Sequence, residues 1–141
     1  MWQARPRAIL VTLDAFAAAT AVAGGVALAT GREGDRFPTD WLRGTPFRSY
    51  VLPGAILAGV VGGSAVTATL ATLRQPILGG RVSALAGGAL ACWIAGEIAL
   101  LSDDAEGPVS PIEALYAGVG LAMMALGVRV ARATAPVAAT A

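Results

Sequence analysis

Hydrophobic residues in this 141-residue chain form four long runs, at residues 8–30, 50–73, 82–101 and 112–130. Each run is about long enough to cross the roughly 30 Å hydrocarbon core of a bilayer as an α-helix. A helix of a soluble bundle shows a polar stripe at the 3.6-residue period, whereas the second and third runs are apolar or small on all sides. The pattern therefore predicts an all-α, polytopic membrane protein, a single domain formed by a bundle of four transmembrane helices.

The first run has an alternative interpretation as a cleaved signal peptide. Arg5 and Arg7 precede it, and Ala21-Val22-Ala23 resembles a signal peptidase site. Asp14 interrupts the run, however, and the run continues to spanning length, which favours a retained helix. Residues 31–49 then form the first loop, and residues 133–141 are predicted to be a disordered C-terminal tail.

The arginines predict how the protein is oriented in the membrane. Cytoplasmic loops accumulate basic residues, and four crossings place six arginines on one side: Arg5, Arg7, Arg74, Arg81, Arg129 and Arg132. The third loop, residues 102–109, has no basic residue, as expected of an outer face. The four arginines of the first loop conflict with this assignment. Both termini are nevertheless predicted to be cytoplasmic.

Composition narrows the chemistry that the chain can perform. Hydrophobic residues make up 56% and charged residues 13%, with no histidine. The single Cys92 cannot form an intramolecular disulfide, and the net charge of +1 gives no broad field for nucleic acid. We therefore expect no metal, no cofactor and no enzymatic activity. Abundant Ala and Gly, with arginine as the only basic residue, indicate a GC-rich bacterial genome and hence a bacterial inner membrane.

Two acidic residues lie within the predicted spans and are candidate functional groups, because ionisable residues inside a membrane are costly. Asp14 is about 9 Å along the first predicted helix and Glu97 about 22 Å along the third. They are therefore expected at different depths. For Asp14 the structural alternative is an ion pair near the interface with Arg7, Arg74 or Arg81.

Glu97 has two interpretations of equal weight. Trp93 lies one turn before it on the same face, and no basic residue lies in the interior of a span to neutralise it. One interpretation is a structural ion pair with Arg43 or Arg48 of the first loop, folded over the outer mouth of the bundle. The other is a proton or cation site.

Rows of small residues predict where helices pack, because close approach drives helix association in lipid. The second helix carries Gly59 and Gly63 in a GxxxG pattern, with a neighbouring row through Gly54. The third carries Gly88 and Gly96, which are eight residues apart in a row of small residues with four-residue spacing. The rows do not specify whether the partner is another helix of this chain or a second subunit.

The loops contain two further patterns. Ser110-Pro111-Ile112-Glu113 is a capping box that should begin the fourth helix, and Thr45-Pro46 could begin the second, with Pro53 kinking it or marking its true start. The first loop places four aromatic residues among Arg and Asp at 37–50. This composition is typical of an interfacial segment, and the alternative is a lid or a partner-binding loop.

A resemblance to a known group of proteins runs from the first loop to the third helix. The segment 41–54 contains Thr45-Pro46-Phe47, Tyr50 and Pro53-Gly54 at the spacing TPFxxYxxPG, followed later by Trp93 and Glu97. It is similar to a widespread group of small, uncharacterised bacterial four-helix membrane proteins. The resemblance implies the fold and the membrane location, and it implies no chemistry.

Three functional classes follow from these patterns. The favoured prediction is a non-enzymatic packing or interaction module, surrounded by lipid and joined to a second copy or to another membrane protein. The alternative is a small proton- or cation-coupled transporter or channel that uses Glu97 or Asp14, as an oligomer. An enzyme is the least favoured class, because the chain has no histidine and no serine in a nucleophile-like turn. Asp40 with Arg43 in the first loop is the one candidate for a catalytic pair.

Overall fold

The computed structural model describes residues 4–101 and 109–133 and contains four long helices. These are α1 (Ala4–Ala29), α2 (Val51–Arg74), α3 (Pro76–Leu101) and α4 (Pro111–Ala133). All four are long and apolar enough to span a membrane, and the described residues contain no strand. The predicted all-α, multi-pass membrane architecture is confirmed. Of the predicted tail, residues 133–141, Ala133 is the last residue of α4, and the rest lies outside the described residues, as does most of the third loop.

Two helices begin several residues before the hydrophobic runs predict. The first begins at Ala4 rather than near residue 8, and α3 begins at Pro76 rather than near residue 82. Gln75 alone separates α2 from α3 and is extended (φ −136°, ψ 94°). The residue before a proline avoids the helical region, whereas proline is well placed at the first position of a helix. The second loop is therefore a single residue, and Arg81 lies inside α3.

The start of α2 differs from the prediction at Thr45-Pro46. The Thr45 hydroxyl donates to the Leu42 carbonyl (2.8 Å) and accepts from the Phe47 amide (3.2 Å), which holds a turn before the helix. The helix begins at Val51, so Pro53 falls in its first turn, where a missing N–H costs nothing. Regular α-helix is interrupted one turn later by a π-helical segment, Leu57–Gly62.

The capping box at the start of α4 is confirmed. The Ser110 amide donates to Glu113 Oε2 (2.7 Å), and the Glu113 amide donates to Ser110 Oγ (3.2 Å). Two amides at the helix start are satisfied in this reciprocal way.

Neighbouring helices run antiparallel and approach most closely at glycines. A Cβ atom on Gly80 would lie 2.5 Å from the Gly127 carbonyl oxygen, and one on Gly120 would lie 2.8 Å from the Gly87 carbonyl oxygen. Gly25 of α1 meets α2 in the same way, 2.6 Å from the Gly54 carbonyl oxygen. No side chain fits at these contacts, so glycine sets the helix separation.

The four glycines singled out in the sequence do not form these contacts. A Cβ atom on Gly59, Gly63, Gly88 or Gly96 would have no atom within 4 Å. The α3–α4 contacts instead recur every seven residues on both helices, which is the 3.5-residue seam of helices that stay in contact over their length. Within the described part of this chain these four glycines therefore make no close contact between helices. A role toward a second subunit stays a prediction.

Candidate functional site

A cavity of about 610 Å³ lies between the four helices at the end of the bundle that carries the first loop. Its walls come from the second half of α1, the start of α2, the last turns of α3 and the first turns of α4. The first loop contributes Phe37, Leu42, Thr45 and Phe47 to the lining. The loop thus forms part of the cavity wall.

Aromatic side chains surround this cavity. Five of its described lining residues are aromatic: Phe37, Phe47, Tyr50, Trp93 and Tyr116. The volume falls in the range of about 300–1,000 Å³ typical of pockets for small organic ligands. The walls can therefore enclose the apolar body of such a molecule.

The same lining holds three glutamates and, among the residues that the structure describes, no arginine. Two of the three have local roles. Glu33 forms an ion pair with Arg36 (3.5 Å), and Glu113 serves the capping box. Glu97 lies near Glu113, whose negative charge opposes its own, and Trp93 lies beside it one turn earlier on the same helix.

The predicted ion pair between Glu97 and the first loop is absent from the described residues. Arg43 instead binds Asp40, three residues before it in the loop (2.9 Å), and Arg48 is exposed and not ion-paired to Glu97. Asp40 lies within one turn of Arg43, so these two charges pair inside the loop itself. The structure therefore leaves the Glu97 carboxylate in the cavity wall without a cationic partner in the described chain.

The loop is held over the cavity by an aromatic cluster. The Phe37 ring contacts the rings of Trp41 and Tyr50 edge to face, with centroids 6.1 and 6.0 Å apart. The Tyr50 hydroxyl donates to the Pro38 carbonyl (3.0 Å), and partial burial raises the pKa of Tyr50 above its ordinary value. This hydroxyl therefore keeps its proton and its hydrogen bond throughout the neutral range.

Asp14 lies at the other end of the bundle, where α2 turns into α3. It is fully buried with Thr72 of α2 and Ser83 of α3, each 0% exposed. The Ser83 hydroxyl donates to Asp14 Oδ2 (2.6 Å), and the Thr72 hydroxyl lies 3.5 Å from the same oxygen and 3.2 Å from Ser83 Oγ. We call these three residues the Asp14 cluster.

The predicted ion pair between Asp14 and an arginine is not formed. Arg7 instead donates to the carbonyl oxygens of Thr72 (3.0 Å) and Leu73 (2.7 Å). The last carbonyls of a helix lack partners within that helix and carry partial negative charge, so they attract a nearby guanidinium. Arg74 and Arg81 are exposed and are not ion-paired to Asp14.

Sequence reasoning missed Thr72 and Ser83. Both are hydroxyl residues inside apolar runs, a signal visible in the sequence, but only the one-residue turn at Gln75 brings them together beneath Asp14. The structure does not unite the two candidate acids, because Asp14 and Glu97 occupy opposite ends of the bundle. No group of three or more His, Cys, Asp or Glu residues in residues 4–101 and 109–133 is arranged to hold a metal ion.

Comparisons with protein-family profiles, with curated proteins and with solved structures gave no match to this chain.

Proposed function

We propose that the protein recognises an amphipathic organic cation in the cavity beneath its first loop, as the binding step of transport across the membrane. The observation that carries this proposal is the composition of the cavity wall. Aromatic faces and carboxylates both attract cations, and aromatic rings also bury apolar surface. An anion would meet three glutamates and no described arginine.

Glu97 is the residue proposed to neutralise the ligand. Its two neighbours in the wall already serve Arg36 and the capping box, whereas Glu97 has the indole of Trp93 beside it. Trp93 offers the cation a ring face and Glu97 offers it a charge. Because the surroundings are apolar, the attraction between opposite charges is stronger there than in water.

The proposed location is the inner membrane of a bacterium, with both termini in the cytoplasm. Six arginines at the Gln75 end of the bundle support this orientation. The cavity and its loop then face outward. The segment that joins α3 to α4, residues 102–108, adds three acidic residues and no basic one to the outer side.

Binding of a matched pair of probes tests the proposal. Tetraphenylphosphonium and tetraphenylborate have nearly the same shape and opposite charge. Equilibrium dialysis against the protein in lipid nanodiscs should show specific binding of the cation and at least tenfold weaker binding of the anion. That ratio corresponds to about 1.4 kcal/mol, a modest value for a charge pair out of water.

Two variants localise the binding. Glu97→Gln keeps the size of the side chain and removes its charge, and should weaken binding of the cation about tenfold or more. Glu33→Gln is the control, because that carboxylate is already paired with Arg36 and should matter less. Equal binding of the two probes, or binding of the cation that is unaffected by Glu97→Gln, would contradict the proposal.

A second candidate function, an interaction module, is supported by the glycines that pack against nothing within the chain. Gly59 and Gly88 leave open space on α2 and α3, where a helix of another subunit could approach closely. Gly59→Leu and Gly88→Leu should then shift the protein to a smaller assembly in size-exclusion chromatography with light scattering. Ala125→Leu, at an exposed position of α4, is the control. Unchanged assembly in both glycine variants would remove this candidate.

A further inference from the structure

The Asp14 cluster has too few hydrogen atoms to serve an ionised carboxylate. Each hydroxyl carries one proton that it can donate. Ser83 gives its proton to Oδ2, and Thr72 gives its own either to that oxygen or to Ser83 Oγ. Neither proton reaches Oδ1, which is buried and has no hydrogen-bond partner in the described part of the chain.

The described residues also provide no cation for this cluster. Arg7 is the nearest arginine along α1, and its guanidinium is occupied by the carbonyls at the end of α2. The other arginines near this end of the described helices have exposed side chains: Arg5, Arg74, Arg81, Arg129 and Arg132. Neither of the two ion pairs in the described segments includes Asp14. The acids of α3 and α4, Glu97 and Glu113, lie at the opposite end of the bundle.

We propose that Asp14 is a proton-binding site. The closed bundle holds the neutral carboxylic acid, with the proton on Oδ1 and the hydroxyl of Ser83 donating to Oδ2. When α1 separates from the α2–α3 hairpin and water enters, the O–H bond breaks, the proton passes to water and the carboxylate remains. Transfer of a bare carboxylate out of water without a counter-ion is strongly unfavourable, whereas the neutral acid needs no counter-ion.

The position of the cluster links this proton to a movement of helices. Asp14, Thr72 and Ser83 belong to three different helices, so the carboxyl group can meet water only if their packing opens. Gly79 makes this packing tight, because a Cβ atom there would collide with the backbone of Thr72. Because the α2–α3 hairpin is this tightly packed, α1 is the helix that must move away for water to reach Asp14. Proton release at Asp14 and separation of α1 therefore occur together. The inference does not depend on cation binding in the outer cavity.

Infrared spectroscopy of the protein in lipid tests the proposal directly. At neutral pH the spectrum should contain the C=O stretch of a protonated carboxyl group. The band should shift when the protein is made with carboxyl-labelled aspartate, resist exchange in deuterated water and vanish in Asp14→Asn. Glu97→Gln is the matched control and should keep the band. The proposal is overturned if the wild-type protein lacks an aspartate band at neutral pH, or if the band persists in Asp14→Asn.

A titration separates proton binding from a purely structural role. Ser83→Ala removes a hydrogen bond that the closed bundle makes to the neutral acid and that is lost when the bundle opens, so the band should disappear about one pH unit lower than in the wild type. A carboxylate that is already ionised in the closed bundle would give no band to titrate. Because the label result uses the wild-type chain and the titration uses Ser83→Ala, the test remains decisive even if Asp14→Asn does not fold. An unchanged midpoint in Ser83→Ala would contradict the assignment of Ser83 as the partner of Asp14.

Discussion

Gly87 and Gly88 are adjacent on α3, and a methyl group added to each should have opposite consequences. At Gly87 the new carbon would lie 2.8 Å from Met123 Cβ and 2.9 Å from the Met124 amide nitrogen, and nearer still to the Gly120 carbonyl oxygen. At Gly88 it would meet no atom within 4 Å. The first variant must push α4 away, and the second need not move anything.

The structure gives the size of the effect. Ordinary van der Waals contact of a Cβ atom begins at 3.4 Å, so α3 and α4 must part by about 0.6 Å at the Met123 contact alone. A gap of about 0.5–1 Å forfeits a quarter to a half of the dispersion energy of each facing atom pair. Overpacking of this kind costs about 1–3 kcal/mol. The gain in helix propensity from Gly to Ala, up to about 1 kcal/mol in water, is common to both variants and cancels in the comparison.

Reversible unfolding in mixed micelles measures this difference. The helical circular dichroism signal is followed as the fraction of denaturing detergent rises, for the wild type, Gly87→Ala and Gly88→Ala. We expect Gly87→Ala to be less stable than Gly88→Ala by roughly 1–3 kcal/mol. Gly88→Ala should be as stable as the wild type or more stable. Equal stability of the two variants would refute the assignment of Gly87 and Gly120 as the contact that sets the α3–α4 separation.

Three further predictions concern the ends of the helices and the first loop. Ser110→Ala should destabilise the protein by about 1 kcal/mol in the same unfolding assay, because the Glu113 amide loses its acceptor; no loss of stability would contradict the capping box. Tyr50→Phe removes the hydrogen bond to Pro38 and should speed hydrogen–deuterium exchange of the first loop without a change in helix protection; unchanged exchange would show that the aromatic contacts alone hold the loop. Arg7→Gln should lower the free energy of unfolding by about 1–3 kcal/mol, because charge-assisted hydrogen bonds to the end of α2 are lost. Arg5→Gln, at an exposed position, is the control. Equal effects of the two arginine variants would rule out a special role for Arg7.

The sequence by itself determined the number of helices, their membrane character and the start of α4. Each of these depends on residues that are close together in the chain. A run of about twenty apolar residues favours a lipid environment whatever surrounds it, and the Ser110–Glu113 pair satisfies its own backbone amides. The hydrophobic runs did not determine where every helix begins, because α3 begins six residues before its hydrophobic run does.

Only the tertiary structure decided which face of each helix meets a neighbour. Rows of small residues occur on several faces of Ala- and Gly-rich helices, so spacing alone selected Gly59 and Gly88, whereas the contacts lie at Gly87 and Gly127. The partners of the two acids, too, were decided by the tertiary structure. Asp14 meets hydroxyls of α2 and α3 rather than an arginine because helix rotation and the turn at Gln75 place those groups beneath it. The rotation of a helix is set by the sum of its contacts with all its neighbours, and no local stretch of sequence contains that sum.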